Sequence, residues 1–169
     1  MHSTVGAWGN WELLGIAVFG AAYLLLLEIN LRRRRFARAV AGSITGLILS
    51  VLDMFLMLVL WHIPLHLGAL LIGFFAYSCW ALVFKIEELD YNGRVIMLGL
   101  SAMVTTYMEN IVIGGLGTGR GWHEFYPVEY WSYLATLIYF MVMLALGCVI
   151  YLLVYKRLSG DESVRVIML

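Results

Sequence analysis

The chain is built from apolar runs of bilayer-spanning length, separated by short polar stretches. Runs of about 17–25 mostly apolar residues are typical of transmembrane helices. No linker or low-complexity tract divides the chain, so the pattern predicts one all-α domain, an integral membrane bundle covering residues 1–169. Five runs predict spans at residues 11–29, 39–60, 64–85, 94–114 and 129–155.

The basic residues predict how this bundle is oriented. Ten of the eleven Lys and Arg residues lie between spans one and two, between spans three and four, or after span five. Only Arg120 falls on the other side. Cytoplasmic loops carry an excess of Lys and Arg. We therefore expect an outside N-terminus and a cytoplasmic C-terminus, in a plasma or inner membrane.

Composition supports the membrane assignment. Apolar residues make up 63% of the chain and charged residues 13%, whereas soluble domains have roughly half and a quarter. The formal net charge is zero, so total charge gives no argument for a nucleic-acid partner. Two cysteines are too few for a disulfide framework. The partner that the composition indicates is the lipid bilayer.

Three acids lie within the predicted spans, where ionisable residues are costly and usually functional. Glu28 is one turn from the Arg32–Arg35 run, and an ion pair at the membrane surface explains it. Asp53 lies eight residues before Trp61, about 12 Å below the outer surface at a rise of about 1.5 Å per residue. Glu109 has a similar depth. Burial away from water favours the protonated form of such carboxyls.

Both deep acids end stripes of small or polar residues at helical spacing. Such stripes let helices approach closely, so we expect spans two and four to pack through them, with the acids hydrogen-bonded across the seam. The stripes are Gly42, Gly46, Ser50 and Asp53 on span two, and Ser101, Thr105 and Glu109 on span four.

Histidines gather on the predicted outer side. His62 and His66 stand four apart around Pro64, and His123 lies in a glycine-rich outer loop. If the bundle closes, these histidines form a rim above Asp53 and Glu109. His62 and His66 also suit the headgroup boundary beside Trp61 simply as amphipathic side chains, without any chemical role. Two chemistries fit the set as a functional site. Copper, zinc or iron could bind His62, His66 and His123. Alternatively, Asp53, Glu109 and His123 could transfer protons as acids and bases.

Two family layouts share parts of this pattern. The last two spans with the loop WHEFYPVEYW loosely resemble the emopamil-binding sterol isomerases, although the fifth span lacks Asn and Trp at its centre. The acid-plus-histidine pattern resembles the C subunits of particulate ammonia and methane monooxygenases, although Asp53 and His62 are too far apart for their motif. Neither resemblance covers the chain with a specific motif, so the sequence assigns no family.

The sequence favours a membrane enzyme that acts on a lipid-like or apolar substrate by acid–base or metal-assisted chemistry. Two alternatives stay open. One is a metal-binding or structural subunit of a larger membrane complex, such as a membrane oxidase or monooxygenase, with other subunits or copies of itself as partners. The other is proton or ion passage through the carboxylate and histidine site.

Overall fold

A computed structural model describes the backbone of residues 4–61, 67–109 and 129–160, and the side chains of residues 13–59, 67–107 and 134–160. This part of the chain contains no strand, which confirms the all-α prediction. A 3₁₀ turn at Ile86–Glu88 follows the third helix. The five α-helices are α1 Thr4–Arg32, α2 Phe36–Trp61, α3 Leu67–Phe84, α4 Tyr91–Glu109 and α5 Glu129–Gly160.

Four stretches of the described helices are long and apolar enough to cross a membrane. Helix α4 does not give such a stretch: its 19 described residues end at Glu109, before the end predicted for span four. The structure thus supports four apolar helices of spanning length, and the fifth span and the orientation of the termini stay predictions. The four stretches are Leu13–Arg32, Phe36–Val59, Leu67–Glu88 and Leu134–Gly160.

The described helices divide into two packing units. The first contains α1 from Glu12 onwards, α2, α3 and α5 from Leu146 onwards, and the second contains α4 and the part of α5 up to Ala145. In the first unit α2 and α3 make the closest approach. A Cβ atom on Gly46 would overlap Ser78 Oγ and lie 2.8 Å from the carbonyl oxygen of Phe74. Only glycine therefore allows α3 to come this near to α2.

Helix α1 joins the first unit through a small-residue face and one tyrosine. A Cβ on Gly15 would touch Ile72, and one on Gly20 would touch Phe75, both on α3. The Tyr23 hydroxyl is 2.7 Å from Ser43 Oγ on α2, and the Tyr23 ring packs edge-on against Phe74. These contacts hold α1 against both helices of the α2–α3 pair.

The C-terminal part of α5 also packs on this pair. A Cβ on Gly147 would lie 2.7 Å from Leu49 Cδ1 and 3.2 Å from the Trp80 ring. One helical turn further, Tyr151 is completely buried. Residues four apart share a helix face, so Gly147 and Tyr151 mark the face of α5 that belongs to the first unit.

In the second unit each helix has one buried stripe at helical spacing. Two hydroxyls on α4 bond within their own helix: Thr105 Oγ1 to the Ser101 carbonyl and Thr106 Oγ1 to the Ala102 carbonyl, each at 2.8 Å. Thr105, which belongs to the polar stripe predicted on span four, and the flanking Thr106 are therefore satisfied within their own helix. The buried residues are Met97, Ser101, Ala102 and Thr106 on α4, and Thr136, Phe140, Met143 and Leu144 on α5.

We predict that Gly46→Ala lowers the thermal unfolding midpoint in mild detergent, because the new methyl group forces α2 and α3 apart. Overpacking of this kind typically costs about 1–3 kcal/mol. Gly99→Ala is the matched control, since a Cβ on Gly99 meets nothing within 4 Å; it should leave the midpoint unchanged or slightly raised. Equal midpoints for the two variants would contradict the close α2–α3 contact.

Candidate functional site

Of the predicted site residues, Asp53 is the one whose surroundings the structure describes. It lies on α2 and is half-buried. Glu109 is the last residue of α4, and its side chain lies outside the described residues. His62, His66 and His123 also lie outside them. The predicted meeting of these five residues therefore stays a prediction.

Asp53 faces α3. Its Oδ2 accepts a hydrogen bond of 3.1 Å from the hydroxyl of Tyr77, which is buried. The rest of the span-two stripe faces the same way: a Cβ on Gly42 would meet Leu82 on α3, and Gly46 meets Ser78. The expectation that this stripe packs against span four was therefore wrong, because α3 occupies the space beside its glycines.

Polar groups continue along this α2–α3 seam. Ser50 Oγ donates to the Leu70 carbonyl at 2.6 Å. The hydroxyls of Thr45 on α2 and Ser78 on α3 are fully buried and have no hydrogen-bond partner. Buried hydroxyls without partners are costly. The seam thus carries one bonded acid, one bonded serine and the unsatisfied hydroxyl of Ser78, and Thr45 adds a second unsatisfied hydroxyl on α2.

This arrangement equips Asp53 for proton exchange. A carboxyl group can accept and release a proton. A phenol hydroxyl that donates a hydrogen bond to the carboxyl group can hold that group in one orientation. Tyr77 is fixed by its own burial against α2, so the Asp53 carboxylate is held at a known place on the seam. Sequence patterns indicated Asp53 but not Tyr77, which lies in an apolar run with no polar stripe.

A second polar cluster lies at the end of the first unit where α2 begins. Arg38 Nε donates to Glu87 Oε1, and its Nη2 donates to Glu88 Oε1 at 2.5 Å. The Tyr151 hydroxyl donates to Glu87 Oε2 at 2.7 Å. The Arg38 and Glu87 side chains are only 6% and 9% exposed, so their charges are withdrawn from solvent and neutralise each other.

This cluster fastens three elements together. Arg38 belongs to α2, Glu87 and Glu88 to the 3₁₀ turn after α3, and Tyr151 to α5. Lys85 Nζ, 3.6 Å from Glu88 Oε2, completes a set of two cations and two carboxylates. A buried charge is tolerated when it is paired and hydrogen-bonded, and that condition is met here. The cluster is a structural clamp.

Sequence reasoning placed Arg38 among the loop arginines and overlooked Glu87, Glu88 and Tyr151. One signal was available: the acids directly after span three lie on the same predicted side as the arginine run. Nothing in the sequence showed which of five arginines they would pair with. The predicted Glu28 ion pair, by contrast, is confirmed, since Arg32 Nη2 lies 2.6 Å from Glu28 Oε1.

Among the described side chains, no three His, Cys, Asp or Glu residues come close enough together to hold a metal ion. The predicted ligands His62, His66 and His123 lie outside these residues. The copper, zinc or iron hypothesis is therefore neither supported nor opposed by the part of the chain that the structure covers.

Comparisons with protein families, with curated proteins and with solved structures found no match for this chain. What the chain itself defines is an all-helical protein with four apolar helices of membrane-spanning length. Any more specific function has to be argued from its own residues.

We predict that Arg38→Gln destabilises the protein by about 3–5 kcal/mol, because it leaves the Glu87 charge buried without its partner. Arg32→Gln removes an equal charge from an exposed pair in which the Arg32 side chain is 79% exposed, and should cost no more than about 0.5 kcal/mol. Denaturant or thermal unfolding in detergent measures both.

The double variant Arg38→Gln/Glu87→Gln separates pairing from packing. It removes both buried charges, so we expect it to recover much of the stability lost in Arg38→Gln. A double variant as unstable as the sum of its single variants would show that the two side chains act independently.

Proposed function

We propose that this protein is a multi-pass membrane enzyme that transfers a proton to or from a lipid-like or apolar substrate, with Asp53 as the proton-transferring residue. The observation that supports this is the Asp53–Tyr77 hydrogen bond on the α2–α3 seam. A half-buried carboxyl within an apolar spanning helix is costly to maintain. A carboxyl group held in one orientation within a spanning helix is therefore a candidate functional group.

In this proposal the two residues have different tasks. Asp53 exchanges the proton with the substrate, and proton transfer by a positioned side chain typically contributes about 100- to 10,000-fold in rate. Tyr77 is a positioning residue, because its hydroxyl donates a hydrogen bond to Asp53 Oδ2 and orients the carboxylate. An apolar substrate reaches the site from the bilayer, since α2 keeps large apolar side chains such as Val51 and Phe55 exposed near Asp53 in the sequence.

The predicted partners of Asp53 complete the site. Glu109 is the second carboxyl, and His123 is the group that exchanges protons with the aqueous side. His62 and His66 form the rim. These roles derive from depth, topology and residue chemistry in the sequence.

We predict that Asp53→Asn abolishes turnover while leaving the fold intact, because an amide cannot exchange a proton but retains the shape and the acceptor oxygen. The protein is reconstituted in nanodiscs containing a total lipid extract from its host. Untargeted mass spectrometry then compares the lipids before and after incubation. Wild-type protein should deplete one lipid species and generate another, and Asp53→Asn should not.

Two variants accompany this experiment. Glu28→Gln removes an acid that is 54% exposed on α1 and should leave turnover unchanged. Tyr77→Phe removes only the hydroxyl and should reduce the rate without abolishing it, with a changed pH profile. Turnover by Asp53→Asn at the wild-type rate would rule out Asp53 as the proton-transferring residue.

The alternative, a metal-binding or structural subunit of a larger membrane complex, draws on a different observation. Protein covers only 17% of the most apolar window of α1 and 33% of those of α2 and α5. Large apolar side chains such as Leu13, Leu24 and Val142 are more than half exposed. Lipid covers such faces in a lone chain, and partner subunits cover them in a complex.

Native mass spectrometry of protein extracted in mild detergent without chelator tests this alternative. A subunit should leave the membrane with stoichiometric partners, or with about one equivalent of copper, zinc or iron that the His62→Ala/His66→Ala variant loses. The His2→Ala variant is the control for nonspecific metal binding. A metal-free single chain that turns over lipid would exclude the subunit reading.

A further inference from the structure

The turn between α1 and α2 carries four consecutive arginines, Arg32–Arg35. Its backbone is closed by two hydrogen bonds: the Arg34 N–H bonds to the Leu31 carbonyl at 3.0 Å, and the Arg35 N–H to the Asn30 carbonyl at 2.8 Å. This pair of bonds is the Schellman arrangement that ends many helices. The arginines therefore stand on a defined turn that joins two spanning helices.

Arg34 occupies the left-handed position of this turn, with φ of 55°. Glycine is the usual residue there, because a side chain in the left-handed region costs free energy. The chain thus keeps an arginine at a place where glycine would be less strained. With arginine at position 34, the four guanidinium groups of Arg32–Arg35 form an unbroken run.

The nearby acids are already engaged by other cations. Glu28 pairs with Arg32, and Glu87 and Glu88 pair with the buried Arg38. The first turn of α2 contains no acid. Arg33 and Arg35 consequently have no acidic partner among the residues that the structure describes. Because Glu87 and Glu88 bind the buried Arg38, they do not neutralise Arg33 and Arg35.

Apolar side chains flank these charges. Leu31 is 46% exposed and Phe36 is 36% exposed, one on each side of the arginines. Arg33 is exposed and Arg35 is half-buried. Guanidinium groups beside exposed apolar side chains match the boundary between lipid headgroups and acyl chains. A soluble nucleic acid or free phosphate would give no reason for the apolar flank, so the surface fits a membrane lipid.

We propose that Arg33 and Arg35 bind the phosphate of an anionic phospholipid at the membrane surface. Guanidinium groups bind phosphate oxygens through two parallel N–H donors, which adds geometric selectivity to the charge attraction. Basic clusters directly beside a spanning helix recognise anionic lipid in this way. Leu31 and Phe36 contact the acyl chains of the same lipid.

The test uses the full chain in a neutral detergent, with dioleoylphosphatidylglycerol and dioleoylphosphatidylcholine as probes. Native mass spectrometry measures the apparent Kd of each lipid. Wild-type protein should prefer the anionic lipid, and Arg33→Gln/Arg35→Gln should bind it roughly thirtyfold more weakly, since two guanidinium contacts are lost. Arg33→Lys/Arg35→Lys keeps the charge and should retain most of the preference.

The matched control is Lys156→Gln/Arg157→Gln, which removes the same charge from an exposed pair at the end of α5. It should leave lipid binding unchanged. An equal loss in this control would overturn the assignment to the α1–α2 turn, because it would indicate general charge attraction. A wild-type protein without preference for the anionic lipid would overturn the proposal itself.

Two further measurements test the same site: lipid binding by a Glu28→Gln variant and competition by inorganic phosphate. Glu28→Gln releases Arg32 from its ion pair, so it should tighten phosphatidylglycerol binding by roughly fivefold, even if the double glutamine variant fails to fold. An unchanged phosphatidylglycerol affinity in Glu28→Gln would contradict the assignment of lipid binding to the α1–α2 turn. Inorganic phosphate should not displace the lipid, and full displacement at millimolar phosphate would indicate a free-anion site in its place.

Discussion

The close approach of α2 and α3 is the contact on which the first unit depends. Gly46 leaves room for Ser78 and for the α3 backbone, and no other residue would. Hydrocarbon gives no hydrophobic drive for two helices to associate, so close van der Waals packing has to provide it. The same approach brings Tyr77 to Asp53 and positions the end of α3 so that Glu87 meets Arg38.

In an apolar interior a polar group that finds no partner within the protein costs free energy, and some of the polar groups inside this unit do find one. Ser50 bonds to the Leu70 carbonyl, and Asp53 accepts from Tyr77. The hydroxyls of Thr45 and Ser78, by contrast, are buried without a partner. Ser78 lies against Gly46, which indicates that tight packing at this point outweighs the cost of its unsatisfied hydroxyl.

The arginines at the end of the unit show how burial sorts residues that look alike in sequence. Arg38 is enclosed by two glutamates, whereas Arg32 is paired only at the surface. Arg38 therefore contributes to the fold, whereas Arg32, Arg33 and Arg34 in the α1–α2 turn are exposed. A count of positive charges for the orientation rule treats all five equally, although only those outside the protein interior can interact with lipid headgroups.

The sequence by itself determined the helical class, the approximate limits of the four apolar spanning helices and the Glu28–Arg32 pair. Runs of apolar residues and contacts four residues apart are local, so they can be read along the chain. It also singled out Asp53, because an acid in an apolar run is conspicuous. Only the tertiary structure decided that α3 is the helix facing Asp53, that Tyr77 is its donor, and that Arg38 is the arginine that Glu87 binds. These contacts join residues 24 and 49 positions apart, and which helices lie side by side depends on how whole faces fit together, which no local pattern records.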